Sequence, residues 1–184
     1  MSPHSQYSGK SQFQQVPDIG DPRFCWARPG PALQPGSEWQ KWLYDTGSLT
    51  QLLIKKSDGQ FRVELVKEEW IRVGSSELRS RFGPVSATQR FWSRKVVLLG
   101  KDTPWVMAHT LIPEHSLQSP LRQVLELQSR PLGEYLFSHP DLIRTDMDIT
   151  PFVDGCWGRR SLFYLFRKPI MVAEFFLPEL LGTN

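Results

Sequence analysis

The sequence is poor in cysteine, with only Cys25 and Cys156 among its 184 residues. Two thiols cannot complete a structural zinc site of four cysteines, and they provide no disulfide framework of the kind found in small secreted domains. A chain of this length buries enough apolar surface to fold without such cross-links. The sequence therefore predicts an ordinary globular protein, and the cytoplasm is its expected location.

An excess of charge of one sign is also lacking. The 22 Lys and Arg residues outnumber the 19 Asp and Glu residues by three, and the sequence pI is about 9.0. The basic residues are interspersed with acidic ones, whereas proteins that bind nucleic acids usually gather them on one stripe or tail. We therefore expect no nucleic-acid partner, while a small anionic ligand is compatible with the composition.

Long apolar runs are absent. The apolar stretch at residues 170–177 is interrupted by Glu174 and is far too short to span a bilayer. Residues 1–24 are polar and contain no apolar segment of the kind found in signal peptides. We predict a flexible N-terminal arm over residues 1–24, a single domain over residues 25–184 and no stable membrane insertion.

Several well-known site motifs are missing as well, since no G-x-S-x-G, H-E-x-x-H or G-x-G-x-x-G pattern occurs. Gly9-Lys10-Ser11 resembles the end of a phosphate-binding loop, but His4 stands where that motif requires a glycine. Asp146 and Asp148 lie on one side of a predicted strand, where a solvated polar face is a better interpretation than a site for a divalent ion. The sequence therefore predicts no metal site.

Hydrophobic periodicity predicts about six strands, at residues 60–65, 90–99, 104–112, 142–150, 160–166 and 170–177. Ser37 and Ser48 are suitable N-caps for two short helices, and a further helix is predicted after Ser119 and Pro120. Short connections between successive strands require antiparallel pairing. The expected fold is therefore α+β, with an antiparallel sheet of six strands flanked by helices.

Two charged residues stand inside strands that otherwise look fully buried. Arg94 shares its predicted sheet face with Val96, and Glu174 shares its face with Val172. An ionised group buried without a partner is costly, so each of these residues needs one. Either the two pair with each other or reach solvent at a sheet edge, or both meet a small polar anion in a closed apolar pocket. In the second case the arginine suits two-point contact with a carboxylate, and the glutamate suits a hydrogen bond with a hydroxyl.

Two adjacent arginines, Arg159 and Arg160, begin a predicted strand and must alternate between its faces. Two interpretations are open: one of them faces the anion and the other faces water, or both have a solvated structural role.

The chain resembles the chorismate lyase family in four stretches whose order and spacing agree with that family across roughly residues 38–180. The stretches are Pro104-Trp105 through Leu111-Ile112-Pro113, Pro131-Leu132-Gly133-Glu134-Tyr135-Leu136-Phe137, Trp157-Gly158-Arg159-Arg160-Ser161 and Glu174-Phe175-Phe176-Leu177-Pro178. Each stretch alone is a weak signal, but together they are specific. The N-terminal arm lies outside the resemblance.

The resemblance implies a six-stranded antiparallel sheet with helices and an internal ligand cavity closed by helical flaps. It assigns Arg94 to the carboxylate on the substrate ring and Glu174 to the neighbourhood of the ring hydroxyl. It also assigns Leu49 and Leu132 to flap positions that contact the ligand, partly through the backbone. His109 stands where a relative carries arginine, and its role is open.

The function implied by the resemblance is elimination of pyruvate from chorismate, which gives 4-hydroxybenzoate for ubiquinone biosynthesis. This reaction needs neither a metal nor an organic cofactor, and the expected partners of a monomeric enzyme are its substrate and product. The alternative is a non-catalytic domain that binds an aromatic acid or senses an effector. Effector-sensing domains of this fold normally follow a winged-helix domain, for which residues 1–37 are too short and too rich in proline.

Overall fold

The computed structural model describes residues 15–145 and 147–182, which form one sheet with helices packed against it. The strands are β1 (Phe61–Arg72), β2 (Arg90–Gly100), β3 (Thr103–Pro113), β4 (Ile143–Arg144), β5 (Asp148–Pro151), β6 (Trp157–Leu165) and β7 (Lys168–Phe176). The α-helices are α1 (Ser37–Leu43), α2 (Leu49–Lys56), α3 (Ser76–Ser80) and α4 (Leu132–Phe137). Short 3₁₀ helices span Glu114–Ser116, Leu121–Glu126, Val153–Gly155 and Pro178–Leu180.

The sheet is antiparallel, with the strand order β1-β2-β3-β7-β6-β4 and with β5 also paired to β6. The α+β class and the antiparallel pairing are as predicted, but the part of the chain that the structure describes forms a sheet of seven strands rather than six. The difference comes from the predicted strand at residues 142–150, which divides into two short strands. Arg144 pairs with Phe163 and Asp148 with Arg160, so β4 and β5 lie along the same edge of β6. Alternation of apolar residues does not reveal such an interruption.

The two faces of the sheet bury different segments of the chain. The front face, which carries Arg94, Val96, Ala108 and Glu174, is covered by α1, α2 and α4. The back face, which carries Val97, Met107 and Phe175 on the same strands, is covered by α3 and by residues near the N-terminus. Each face therefore contributes an apolar core layer, and the charged residues of the front face lie beneath helices.

Part of the segment predicted as an N-terminal arm packs on the back face. Val16 and Ile19 are buried there, and the indole of Trp26 donates a hydrogen bond to the carbonyl of Ile19 at 3.0 Å. Residues 1–14, which include Gly9-Lys10-Ser11, lie outside the described residues.

The helix boundaries test the predicted caps. Ser48 is the N-cap of α2, because its Oγ accepts a hydrogen bond from the backbone N–H of Gln51 at 3.3 Å. The N-cap of α1 is Gly36 rather than the predicted Ser37. The helix predicted after Pro120 is a six-residue 3₁₀ helix with no side-chain cap, and so short a segment gains little from α-helical propagation.

Among the described residues, no helix has both the length and the apolar character needed to cross a membrane.

Candidate functional site

A pocket lies between the front face of the sheet and helices α2 and α4. It is lined by Gly47, Leu49, Thr50, Val63, Arg94, Val96, Leu98, Ala108, Thr110, Pro131, Leu132, Gly133, Leu136, Phe137, Arg144, Arg159, Phe163, Val172 and Glu174. The cavity between these residues has a volume of about 60 Å³. Most of the lining residues are apolar and lie close together, with a few charged groups among them.

The four residues that the family resemblance assigned to the ligand site, Leu49, Arg94, Leu132 and Glu174, all line this pocket. Arg94 comes from β2 and Glu174 from β7, while Leu49 and Leu132 are the first residues of α2 and α4. Arg94 and Glu174 lie on the same face because Val96, two residues from Arg94, is in register with Ala108, which is in register with Glu174. The structure thus brings the four residues together, while their roles toward a ligand stay predictions.

Arg94 is almost fully buried, with 2% of its side chain exposed. Its Nη1 forms an ion pair with Glu68 on the neighbouring strand, and its Nη2 donates to the carbonyls of Gln128 at 2.6 Å and Arg130 at 3.1 Å. Neither pairing with Glu174 nor exposure at a sheet edge occurs, so the first interpretation of these charges was wrong. Three of the five guanidinium N–H groups are used by these contacts, and two are left for a ligand.

Sequence periodicity missed Glu68 as the partner of Arg94. In β1, Leu65 is in register with Val96 while Lys67 is in register with Lys95, so Val66 is an extra residue in the strand. Such a bulge reverses the alternation of side chains beyond it. Glu68 therefore reaches the same face as Leu65, although simple alternation places these two residues on opposite faces.

Glu174 is paired with Arg159, which is its register neighbour on β6. Nε of Arg159 donates to Oε2 of Glu174 at 2.5 Å, and Nη1 donates to the carbonyls of Trp42 at 2.7 Å and Asp45 at 2.9 Å. The guanidinium thus compensates the charge of the buried carboxylate. It also connects the sheet to the end of α1 and to the segment that leads into α2.

Arg160 takes the opposite face, as strand alternation requires. It is 4% exposed, stacks over the ring of Trp26 at 5.2 Å and bonds Asp148 at 3.1 Å. Asp148 is also paired with Arg81 at 2.7 Å, so it compensates the charge of both arginines. Asp146 lies outside the described residues. Within the described ranges, no group of three or more His, Cys, Asp and Glu side chains is arranged to hold a metal ion.

Arg144 is a pocket residue that the sequence did not indicate. It lies on β4, where its guanidinium packs over Phe163 at 5.1 Å and its Nε donates to Oγ of Ser161 at 3.0 Å. Burial, together with the nearby charge of Arg159, lowers the pKa of Arg144 to about 10. Arg144 is a charged residue within the predicted strand at 142–150, and this could have marked it as a candidate. Because that strand divides into β4 and β5, alternation along 142–150 does not show which face Arg144 occupies.

His109 does not line the pocket, because it lies on β3 with its side chain on the back face. Its Nδ1 accepts a hydrogen bond from the backbone N–H of Ile19 at 3.0 Å, and its Nε2 lies 2.9 Å from Oγ of Ser93. Burial and the charge of Lys95 lower the pKa of His109 to about 3. The neutral imidazole therefore carries its proton on Nε2 and attaches the N-terminal segment to the sheet.

Fold and pocket together define an α+β domain with a mostly apolar, arginine-containing site of the kind that binds small carboxylates. The sequence model of the chorismate lyase family matches residues 22–183, and the chain belongs to that family. It is 37% identical to the chorismate pyruvate-lyase of Pectobacterium atrosepticum, over 75% of this chain and 76% of that protein. It is 36% identical to the chorismate pyruvate-lyase of Sodalis glossinidius, over 81% of this chain and 82% of that protein.

Solved structures show the same fold in proteins of very different sequence. The effector domain of PhnF from Mycobacterium smegmatis is 13% identical, with a TM-score of 0.52 that covers 79% of this chain and 93% of that domain. A structure of PhnF from the same organism is 12% identical, with a TM-score of 0.55 over 76% of this chain and 68% of that one. At these identities the likeness concerns the fold alone.

Proposed function

We propose that this pocket is the site at which the protein eliminates pyruvate from chorismate to give 4-hydroxybenzoate for ubiquinone biosynthesis. The observation that carries the proposal is the convergence of Leu49, Arg94, Leu132 and Glu174 on one pocket in a member of the chorismate lyase family. The proposal also includes a monomeric enzyme in the cytoplasm whose partners are chorismate and 4-hydroxybenzoate.

Arg94 is the proposed anchor for the carboxylate on the substrate ring. Its guanidinium is held by Glu68 and by the carbonyls of Gln128 and Arg130, so its orientation is set before a ligand binds. A prepositioned guanidinium loses little conformational freedom on binding, which favours strong contact with a carboxylate. The N–H groups that these contacts leave are the donors for the ring carboxylate.

Glu174 is proposed to accept a hydrogen bond from the ring hydroxyl. The adjacent Arg159 compensates the charge of the carboxylate and fixes the position of Oε2, which leaves Oε1 for the substrate. Together with Arg94, this contact orients the ring between β2 and β7. Orientation of this kind contributes to rate by holding the substrate close to its reactive geometry.

The reaction breaks the ether C–O bond and removes the proton from the neighbouring ring carbon, which carries the hydroxyl. The bonding electrons of the ether leave with the enolpyruvyl oxygen, the ring becomes aromatic, and the proton completes the methyl group of pyruvate. Aromatisation supplies the driving force, so the protein mainly has to orient the substrate and stabilise charge that develops on the departing oxygen. The proton moves either within the substrate or by way of Glu174, and substitution of that residue distinguishes these routes.

Helices α2 and α4 are the proposed flaps over the ligand. Leu49 and Leu132 begin these helices, where backbone N–H groups lack intrahelical acceptors and are suitable donors to a carboxylate or carbonyl. The two helices meet closely, because a Cβ added to Gly133 would lie 2.5 Å from Oγ1 of Thr50. This contact supports a closed lid, from which the product leaves when the helices separate.

The test is to mix purified protein with chorismate in the presence of a chelator and to measure 4-hydroxybenzoate and pyruvate together. Equimolar formation of both products is the expected result. Tight binding of 4-hydroxybenzoate without turnover would indicate a sensor or carrier of aromatic acids instead. If the protein neither turns over chorismate nor binds 4-hydroxybenzoate, the proposed function is wrong.

A further inference from the structure

Arg144 differs from the other two arginines of the pocket in its partners. Within residues 15–145 and 147–182, Arg94 is paired with Glu68 and Arg159 with Glu174, but no carboxylate lies within 4.0 Å of Arg144. Its Nε donates to Oγ of Ser161 at 3.0 Å and its Nη1 to the carbonyl of Asp45 at 3.2 Å. Both acceptors are neutral, so Arg144 forms no ion pair with a described carboxylate, although the charges of Glu174 and Asp45 act on it from a greater distance.

An unpaired cation at the wall of a mostly apolar pocket is costly, and an anion bound in the pocket reduces that cost. Arg144 is still protonated at neutral pH, even though burial and Arg159 lower its pKa to about 10. Its Nη2 makes no hydrogen bond with any described residue, which leaves that side of the guanidinium for a ligand. The pocket is therefore built to receive negative charge near Arg144.

Arg144 and Arg94 lie on strands that are far apart in the sheet. The strand order β2-β3-β7-β6-β4 puts four strand spacings between the two residues, or roughly 19 Å between their backbones at about 4.8 Å per strand. Both side chains nevertheless line the same pocket, so they approach it from opposite walls. Two cations placed in this way suit a ligand with two separated anionic groups.

We propose that Arg144 binds the carboxylate of the enolpyruvyl group of chorismate, while Arg94 binds the carboxylate on the ring. This inference rests on the proposed function and adds a substrate-binding residue to it. Chorismate carries two carboxylates and 4-hydroxybenzoate carries one, so the substrate uses both arginines and the product uses only Arg94. Arg144 therefore favours chorismate over 4-hydroxybenzoate and does not slow the release of the aromatic product.

The experiment compares substrate and product binding in the Arg144→Gln variant. The expected result is a decrease in kcat/KM for chorismate of roughly 10- to 100-fold, as for the loss of a hydrogen bond to a charged group, with an unchanged Kd for 4-hydroxybenzoate measured by calorimetry. The Arg144→Lys variant keeps the charge and should recover part of the loss. The Arg62→Gln variant, which neutralises a strand arginine outside the pocket, is the matched control and should behave as the wild type.

Equal losses in chorismate turnover and in 4-hydroxybenzoate affinity would overturn the proposal. Arg144 would then stabilise the pocket through its hydrogen bonds to Asp45 and Ser161 rather than bind a carboxylate of the substrate. An unchanged kcat/KM for chorismate would overturn it as well. Failure of the proposed function is separate, since it appears as the absence of turnover in the wild-type protein. In that case calorimetric binding of chorismate to wild type and to Arg144→Gln still decides whether Arg144 contacts the second carboxylate.

Discussion

Arg159 and Glu174 face each other across β6 and β7, joined by a hydrogen bond of 2.5 Å from Nε to Oε2. The same guanidinium bonds the carbonyls of Trp42 and Asp45, which lie in and beyond the last turn of α1. One arginine thus supports both the carboxylate proposed to bind the substrate hydroxyl and the segment that leads into the flap helix α2. We expect the chemistry of the site and the closure of the pocket to depend on each other for this reason.

The first prediction concerns the role of Glu174. In the Glu174→Gln variant the amide oxygen still accepts a hydrogen bond from the ring hydroxyl, so kcat should fall by less than about 10-fold if the residue only positions the substrate. A decrease of about 10²- to 10⁴-fold would instead show that the carboxylate takes the proton. The comparison is made by steady-state kinetics. Thermal unfolding is the control, since the substitution leaves Arg159 without its counter-charge.

A second prediction concerns Glu68, whose carboxylate is paired with Arg94 and would repel a ligand carboxylate bound to the remaining N–H groups of the same guanidinium. The Glu68→Gln variant keeps a hydrogen-bond acceptor but removes the negative charge, so 4-hydroxybenzoate should bind about 10-fold more tightly. Product inhibition of turnover should strengthen by the same factor. Affinity is measured by calorimetry, with Glu69→Gln as the control because Glu69 pairs with Lys67 outside the pocket. Unchanged or weaker binding would mean that Glu68 mainly orients Arg94.

The contact between the proposed flaps gives a third prediction. A methyl group at Gly133 would lie 2.5 Å from Oγ1 of Thr50, so the Gly133→Ala variant must shift the contact between α4 and α2. We expect faster dissociation and weaker binding of 4-hydroxybenzoate, measured by stopped-flow fluorescence. The matched control is Gly74→Ala, where an added Cβ would have no neighbour within 4 Å.

Removal of the Thr50 hydroxyl tests whether the effect of Gly133→Ala comes from the contact between α2 and α4 or from a general loss of structure. The double variant Gly133→Ala with Thr50→Ala should recover most of the lost affinity, because Oγ1 of Thr50 is the atom closest to the added methyl group. If the double variant binds 4-hydroxybenzoate no better than Gly133→Ala alone, the close contact between α2 and α4 does not control the ligand.

The fourth prediction concerns stability at acid pH. His109 accepts a hydrogen bond from the N–H of Ile19 only when it is neutral, and its pKa in the folded protein is lowered to about 3. The unfolded chain binds a proton to this residue near pH 6.5, so its stabilising contribution is complete above that pH. As pH falls from 6.5 toward 3, this contribution should be lost at about 1.4 kcal/mol per pH unit.

The measurement is the free energy of urea unfolding at pH 7 and pH 5 for the wild type and for His109→Gln. A glutamine amide can accept from Ile19 and donate to Ser93 without titrating, so the variant should lose less stability between these pH values. The control is His139→Gln, at a histidine near the protein surface. Identical pH dependence in the wild type and His109→Gln would rule out a buried neutral His109 as the cause.

Much of the sheet follows from residue patterns because β2 and β3 are long apolar strands joined by a short connection, as are β6 and β7. Alternation of side chains along these strands places Arg94 and Glu174 on the front face, where both line the pocket. The cap at Ser48 is equally local, since a serine hydroxyl needs only the next turn of backbone as its partner. Features of this kind depend on neighbours in the sequence.

Other features depend on contacts between distant strands. The bulge at Val66 turns Glu68 onto the face of Arg94, and the interruption between β4 and β5 puts Arg144 at the pocket wall. Residue alternation has a strict period of two, so it cannot locate an inserted or unpaired residue.

The sequence by itself therefore determined the α+β class, the antiparallel pairing and two of the charged residues that the pocket brings together. Only the tertiary structure decided the carboxylate paired with each arginine and left Arg144 unpaired among the described residues. The physical reason is that burial makes each charge require a partner, whereas the register between strands decides which partner is within reach.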